Sequence, residues 1–136
     1  MSPALQDAAF AHLLLAFKAS AGQAPAERWL HLEAAHVLGQ NRLGLHWRSH
    51  WHMLRHALEQ RDAREAAGQL LRLGLTPLGH LLRRLPLGNT GRASVPALQP
   101  MEPGPAVRAR MAAALAAVAG PGNPIQVKKP PNSYPV

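Results

Sequence analysis

Apolar residues recur every three or four positions along this chain, and that spacing constrains its fold more than any other feature. Leu5, Ala9, Leu13 and Phe17 make one such row, Leu78, Leu81, Leu82 and Leu85 another, and Val107, Met111, Leu115 and Val118 a third. A helix advancing about 3.6 residues per turn puts each row on one side, whereas a strand needs strict alternation. Residue type agrees with spacing. Only Phe10, Phe17, Trp29, Trp47, Trp51 and Tyr134 are aromatic, so a core must come mainly from Leu and Ala, which lose little side-chain freedom in a helix. The expectation is an all-α fold, a small bundle of antiparallel helical hairpins with a Gly/Pro-rich C-terminal extension.

Helix punctuation divides the chain. A first helix runs from about Pro3 to Ser20, capped by Ser2, with Pro3 at the first position, where its missing N–H costs nothing. A second starts near Pro25 and stops at Gly39, a residue suited to a left-handed cap. A third follows Asn41 as cap and reaches about Gln60. The short link makes these two antiparallel neighbours. Asp62 and Glu65 have capping-box spacing and open a fourth helix that ends at Gly74. Thr76-Pro77 reads as a further cap, starting a short fifth helix through Leu85. The Leu-Gly pairs at 38–39 and 73–74 lie near the roughly 34-residue period of tetratricopeptide repeats, without that repeat's signature residues.

Beyond Pro86 the run GNTGRASVPALQPMEPGP is rich in residues that break helices. The chain is therefore expected to form a helical domain over 1–95, a Pro-rich wrap with a short Ala-rich helix over 96–119, and a disordered tail over 120–136.

Composition narrows the chemistry. The absence of cysteine removes disulfides, thiolate metal sites and cysteine nucleophiles, leaving His and carboxylate as the good metal ligands. No secretory-signal pattern opens the chain, and no apolar run approaches the roughly 20 residues a membrane span needs. A cytoplasmic protein without membrane association is expected. The formal charge of +8 is spread from Lys18 to Lys129, with adjacent pairs only at Arg83-Arg84 and Lys128-Lys129. Nucleic-acid binding, which needs clustered basic residues, is not the expectation. Gly88-Asn89-Thr90-Gly91 lacks the Lys-Ser/Thr ending of a phosphate loop and is read as a turn.

Six of the eight histidines fall in HLEAAHVLGQNRLGLHWRSHWHMLRH, residues 31–56. Glu33 and His36 are three apart and share one helix face; His46 and His50 are four apart and share another. The second pair lies on the row Leu43, His46, Trp47, His50, Met53, Leu54 and Ala57, the side that should pack inward. His36 and His46 stand at similar heights above the turn, since each residue rises about 1.5 Å. If the two helices face each other through these residues, Glu33, His36, His46 and His50 converge. Three imidazoles and a carboxylate suit one divalent transition metal ion: zinc, nickel, copper or iron. Without an ion, a hydrogen bond from a histidine to Glu33 would meet the same need for buried polar partners. His31, His52 and His56 fall on other faces and read as solvent or groove residues, and His12 and His80 as isolated.

Several segments together resemble a known family. His31-Leu32-Glu33-Ala34-Ala35-His36-Val37-Leu38-Gly39-Gln40, then His46-x-x-x-His50-x-x-Met53-Leu54, then Arg61-Asp62 with Glu65, Gly68-Gln69 and Arg72, then Pro86-Leu87-Gly88-Asn89-Thr90-Gly91 and Pro100-Met101 are similar in order and spacing to the small bacterial family known as domain of unknown function 3703. The resemblance covers about residues 10–103. It implies a compact cytoplasmic helical protein and an association with bacterial metal-resistance gene neighbourhoods, with no assigned activity. Arg92 and Ser94 depart from the Gly and Asn expected there, and Glu102-Pro103-Gly104 from a more regular Pro-rich segment.

Two functions are consistent with these features. One is a metal-binding or metal-responsive accessory protein that uses the His/Glu cluster. The other is a non-catalytic interaction scaffold whose basic groove, with Arg48, Trp51, His52, Arg55 and Arg64, takes an acidic protein partner. Metal-dependent catalysis would need a spare general base, and few carboxylates remain to supply one.

Overall fold

The computed structural model describes residues 1–120; the expected disordered tail lies, apart from Gly120, outside the described residues. The described residues form five helices: α1 (Pro3–Ala19), α2 (Pro25–Gly39), α3 (Leu43–Glu59), α4 (Ala63–Leu81) and α5 (Pro105–Ala119). No strand occurs among the described residues, so the all-α expectation holds. α3 packs on α2 and α4, while α1, α2 and α5 contact one another.

Local chemistry accounts for most helix ends. Ser2 Oγ accepts from the Leu5 N–H and Pro3 occupies the first turn of α1, satisfying a donor that has no partner inside the helix. Asp62 Oδ1 accepts from the Glu65 N–H to cap α4. Glu65 does not reach back as in a full capping box; its carboxylate turns inward instead.

Three expectations are corrected. Asn41 does not cap α3: its Oδ1 accepts from Gln6 Nε2 at 2.6 Å and so ties α1 to the α2–α3 link. Gly39 is not a left-handed cap; a Cβ there would lie 2.8 Å from Leu45 Cβ and 3.2 Å from the Phe10 ring. Close packing, rather than backbone conformation, requires glycine at that position.

The third correction is the largest. The expected helices over 62–73 and 76–85 are one, because α4 runs straight through Pro77. Ala66, Gln69 and Thr76 keep one side of it buried. Thr76 Oγ1 donates back to the Arg72 carbonyl at 2.7 Å rather than capping a new helix, and Pro77 itself lies on the exposed face. Packing against α3 thus outweighs the hydrogen bond that proline removes. The residue that turns the chain after α4 is Arg83, at φ 53. Leu78, Leu81 and Leu82, expected on a buried stripe, are exposed.

The core is continuous from Phe10, Leu13 and Phe17 on α1 through Trp29, Leu32 and Leu38 on α2 to Met53 and Leu54 on α3. α5 joins it by burying Val107 and Ala114, with Met111, Leu115 and Val118 packed alongside. Its expected apolar face is the one that docks.

The loop over 82–104 is pinned by polar side chains. Gln40 Nε2 donates to the Pro86 carbonyl, and its Oε1 accepts from the Gly88 N–H. Asn89, buried, donates to the Pro96 and Gln99 carbonyls and accepts from the Gly91 N–H. The Gly-Asn-Thr-Gly turn is thereby held against the end of α2. Gly88 and Gly91 have φ of 77° and 81°, values at which a side chain is strained.

Candidate metal centre

α2 supplies His36 to the space between α2 and α3, and α3 supplies His46 and His50 from successive turns. All three are nearly inaccessible to solvent. The ring centroids are 4.8 Å apart for His36–His46, 4.6 Å for His36–His50 and 5.0 Å for His46–His50. One nitrogen from each ring lies within 4.8 Å of the other two. Around one zinc ion, nitrogens at about 2.0–2.1 Å from the metal stand about 3.3 Å apart, so modest ring rotations bring this set onto an ion.

The surroundings favour the neutral rings that act as ligands. Burial, reinforced by His50 and then His80, lowers His46 to about 3. Burial also takes His50 down to about 4, against the Gln69 hydrogen bond that raises it. His36 is held well below its ordinary value by burial, then by His50 and His46.

Hydrogen bonds orient two of the rings. Gln69 Nε2 donates to Glu65 Oε1 at 2.8 Å and to the Gly91 carbonyl at 2.9 Å, which fixes its amide. Gln69 Oε1 must then be the acceptor of the 2.8 Å bond with His50 Nδ1, leaving His50 Nε2 with a free lone pair. An outer partner of this kind sets the tautomer of a metal-binding histidine. His46 Nδ1 pairs with His80 Nε2 at 3.0 Å. His36 Nδ1, by contrast, is buried without a partner, the kind of unmet need an ion would satisfy.

Gly91 roofs the site. A Cβ there would stand 2.9–3.0 Å from three atoms of the His36 ring, so the turn closes this tightly only with glycine. Arg72 Nη2 donates to the Arg92 and Val95 carbonyls and holds the loop down from the other side. The remaining cavity, lined by the triad, Arg72, Thr76 and Asn89, is about 30 Å³. That accommodates an ion with one or two waters rather than an organic substrate.

Of the four residues expected to converge, three do. Glu33 lies outside the group that shares a site. Its Oε1 is 3.2 Å from Arg92 Nη1, and burial raises its pKa while Arg92 pulls it back. Arg92 also lies 3.3 Å from Glu65 Oε1 and 3.7 Å above the Trp29 ring. A cation the helical phase could not anticipate thus claims the carboxylate, and Arg92 emerges as the clamp between loop and helices.

Other histidines are corrected too. His31 and His56, expected at solvent or in a groove, are buried, at 7% and 1% exposure. His80 is not isolated, since it meets His46; the continuation of α4 past Pro77 carries it there. Gln69, Glu65 and Asn89 were not singled out as site residues. Their signals in the sequence were a place in the segments that carry the family resemblance and polarity at helix or turn positions, neither of which tells a buried residue from a solvated one.

An all-helical protein with a buried three-histidine cluster closed by a glycine turn is the class that fold and site define. The chain belongs to the family described as protein of unknown function (DUF3703), whose model matches residues 4–111. No curated protein and no solved structure matches it.

Proposed function

We propose that this is a cytoplasmic metal-binding or metal-responsive accessory protein in which His36, His46 and His50 hold one divalent transition ion. The observation that carries this is the meeting of three buried imidazoles from two helices. Three neutral nitrogen donors suit zinc, nickel, copper or iron(II). Gln69 and His80 act as outer partners that fix ring orientation, and Glu33 serves the Arg92 clamp instead of the ion. A bound ion would have an open position facing the small cavity, and it would stabilise the fold because an unfolded chain presents no such site.

Calorimetric titration of the metal-free protein with zinc, nickel and copper tests this. One ion per chain is expected, with affinity reduced at least about 100-fold in His46→Ala and His50→Ala, each checked for folding by circular dichroism. Unchanged affinity in both variants would overturn the assignment.

An interaction scaffold is supported by a different observation. Trp47 and Trp51 are both exposed on α3 and stack with ring centroids 6.1 Å apart and planes within 5°. Exposed aromatic pairs are enriched where proteins meet. Recovery of one partner by the native chain and not by a Trp47→Ala/Trp51→Ala double variant, in the presence of chelator, would favour that role.

A further inference from the structure

A second pocket, away from the histidine triad, opens where α1, α2 and α3 meet. Its volume is about 270 Å³ and it is lined by Phe17, Lys18, Arg28, His52, Arg55, His56 and Glu59. That is room for a small ligand rather than a single water.

The pocket is rich in cations and short of carboxylates. His56, 1% exposed, has both ring nitrogens without a hydrogen-bond partner, and the Arg28 Nε is likewise buried and unpaired. Buried polar groups almost always have partners, and His56, whose pKa is lowered first by burial and then by Arg28, is a neutral ring with one donor and one acceptor, so two orphan donors and one orphan acceptor beside one cavity point to a missing group. Glu59 supplies the pocket's one carboxylate, and its nearest oxygen stands 3.7 Å from His56 Nδ1, beyond hydrogen-bond reach. Its side chain is 55% exposed and free to turn outward.

Charge identifies the missing group. Lys18, Arg28 and Arg55 face the cavity against the single carboxylate. His52 feels this field: burial and then Arg48, Arg55 and Lys18 hold it below its ordinary value. The positions of the aromatic rings leave the donors in place. Phe17 and Trp29 pack against His56 at 5.0 and 4.8 Å, and Arg28 lies 4.7 Å over Phe17. The guanidinium and imidazole are therefore held by packing, without an acceptor of their own. Waters could accept these bonds, but being neutral they would leave the three cations against one carboxylate unbalanced. A phosphate that carries one proton, with several acceptor oxygens for the donors and cations and one P–OH for the imidazole lone pair, meets every requirement at once.

We propose that this pocket binds a small multivalent oxyanion, a phosphate or phosphomonoester, received by Arg28 and His56 at its floor and by Lys18 and Arg55 at its mouth.

The test is a titration of the full chain with inorganic phosphate, in EDTA and at constant ionic strength, followed through the ring resonances of His56 and the indole N–H of Trp29. Saturating shifts with Kd below about 10 mM are expected, and Arg28→Gln and Arg55→Ala should each weaken binding about tenfold. Arg55 is exposed, so its variant keeps the fold if Arg28→Gln does not. Zinc affinity at the triad should stay unchanged in Arg55→Ala, since the two pockets share no residue. Shifts that never saturate, an unchanged Kd in the Arg55 variant, or equal binding of free glutamate in place of phosphate would overturn the proposal.

Discussion

Gly91 shows how one residue couples backbone conformation to the site. Its φ of 81° and the His36 ring beneath it both exclude a side chain. Gly91→Ala should destabilise the protein by about 2 kcal/mol, combining left-handed strain with displacement of the turn. Gly22→Ala is the control: a Cβ there meets nothing within 4 Å, so the change should stay within about 0.5 kcal/mol. Urea denaturation of both variants decides, and equal effects would mean that the turn does not press on the triad. Arg92 teaches the opposite lesson. It bonds Glu33, approaches Glu65 and covers Trp29. Nothing local in its neighbours marks that role, because its partners lie 63, 59 and 27 residues earlier in the chain.

At the level of elements, the caps of α1 and α4 and the docking face of α5 were legible in the sequence. Each depends on residues within a few positions of one another. α4 was misjudged because Thr-Pro has the same local form whether it opens a helix or sits inside one. What separates the two cases is the α3 surface, against which Gln69 and Thr76 remain buried on both sides of Arg72. Pro77 removes the donor that would meet the Leu73 carbonyl, so Pro77→Ala should stabilise the protein by about 1–3 kcal/mol. Denaturant midpoints measure this. A loss of stability would show instead that Pro77 is needed to bring His80 to His46.

For the whole molecule, histidine burial should govern acid stability. His31, His36, His46, His50, His52, His56 and His80 all have folded pKa values below 6.5. Between those values and 6.5 the unfolded chain binds more protons than the folded one, so stability is full above pH 6.5 and falls as pH drops. Each fully buried ring adds a slope of up to about 1.4 kcal/mol per pH unit. His50 keeps its contribution falling to about pH 4 and His46 to about pH 3. Glu33, with a raised pKa, works in the opposite direction, one group against seven. Urea midpoints of the metal-free protein should therefore decline steadily from pH 6.5 to 4, and a flat profile would show that the rings are hydrated rather than buried.

The sequence alone determined that the chain is helical, where most helices begin, and that His36, His46 and His50 lie on two consecutive helices. Those properties follow from periodicity and capping, which act within one or two turns. Only the tertiary structure decided that Glu33 belongs to Arg92, that Gln69 orients His50, that His80 reaches His46, and that His56 is buried beside the unpaired Arg28 Nε. Each of those outcomes depends on which charge or ring arrives from another element, and side-chain spacing along one helix carries no information about that.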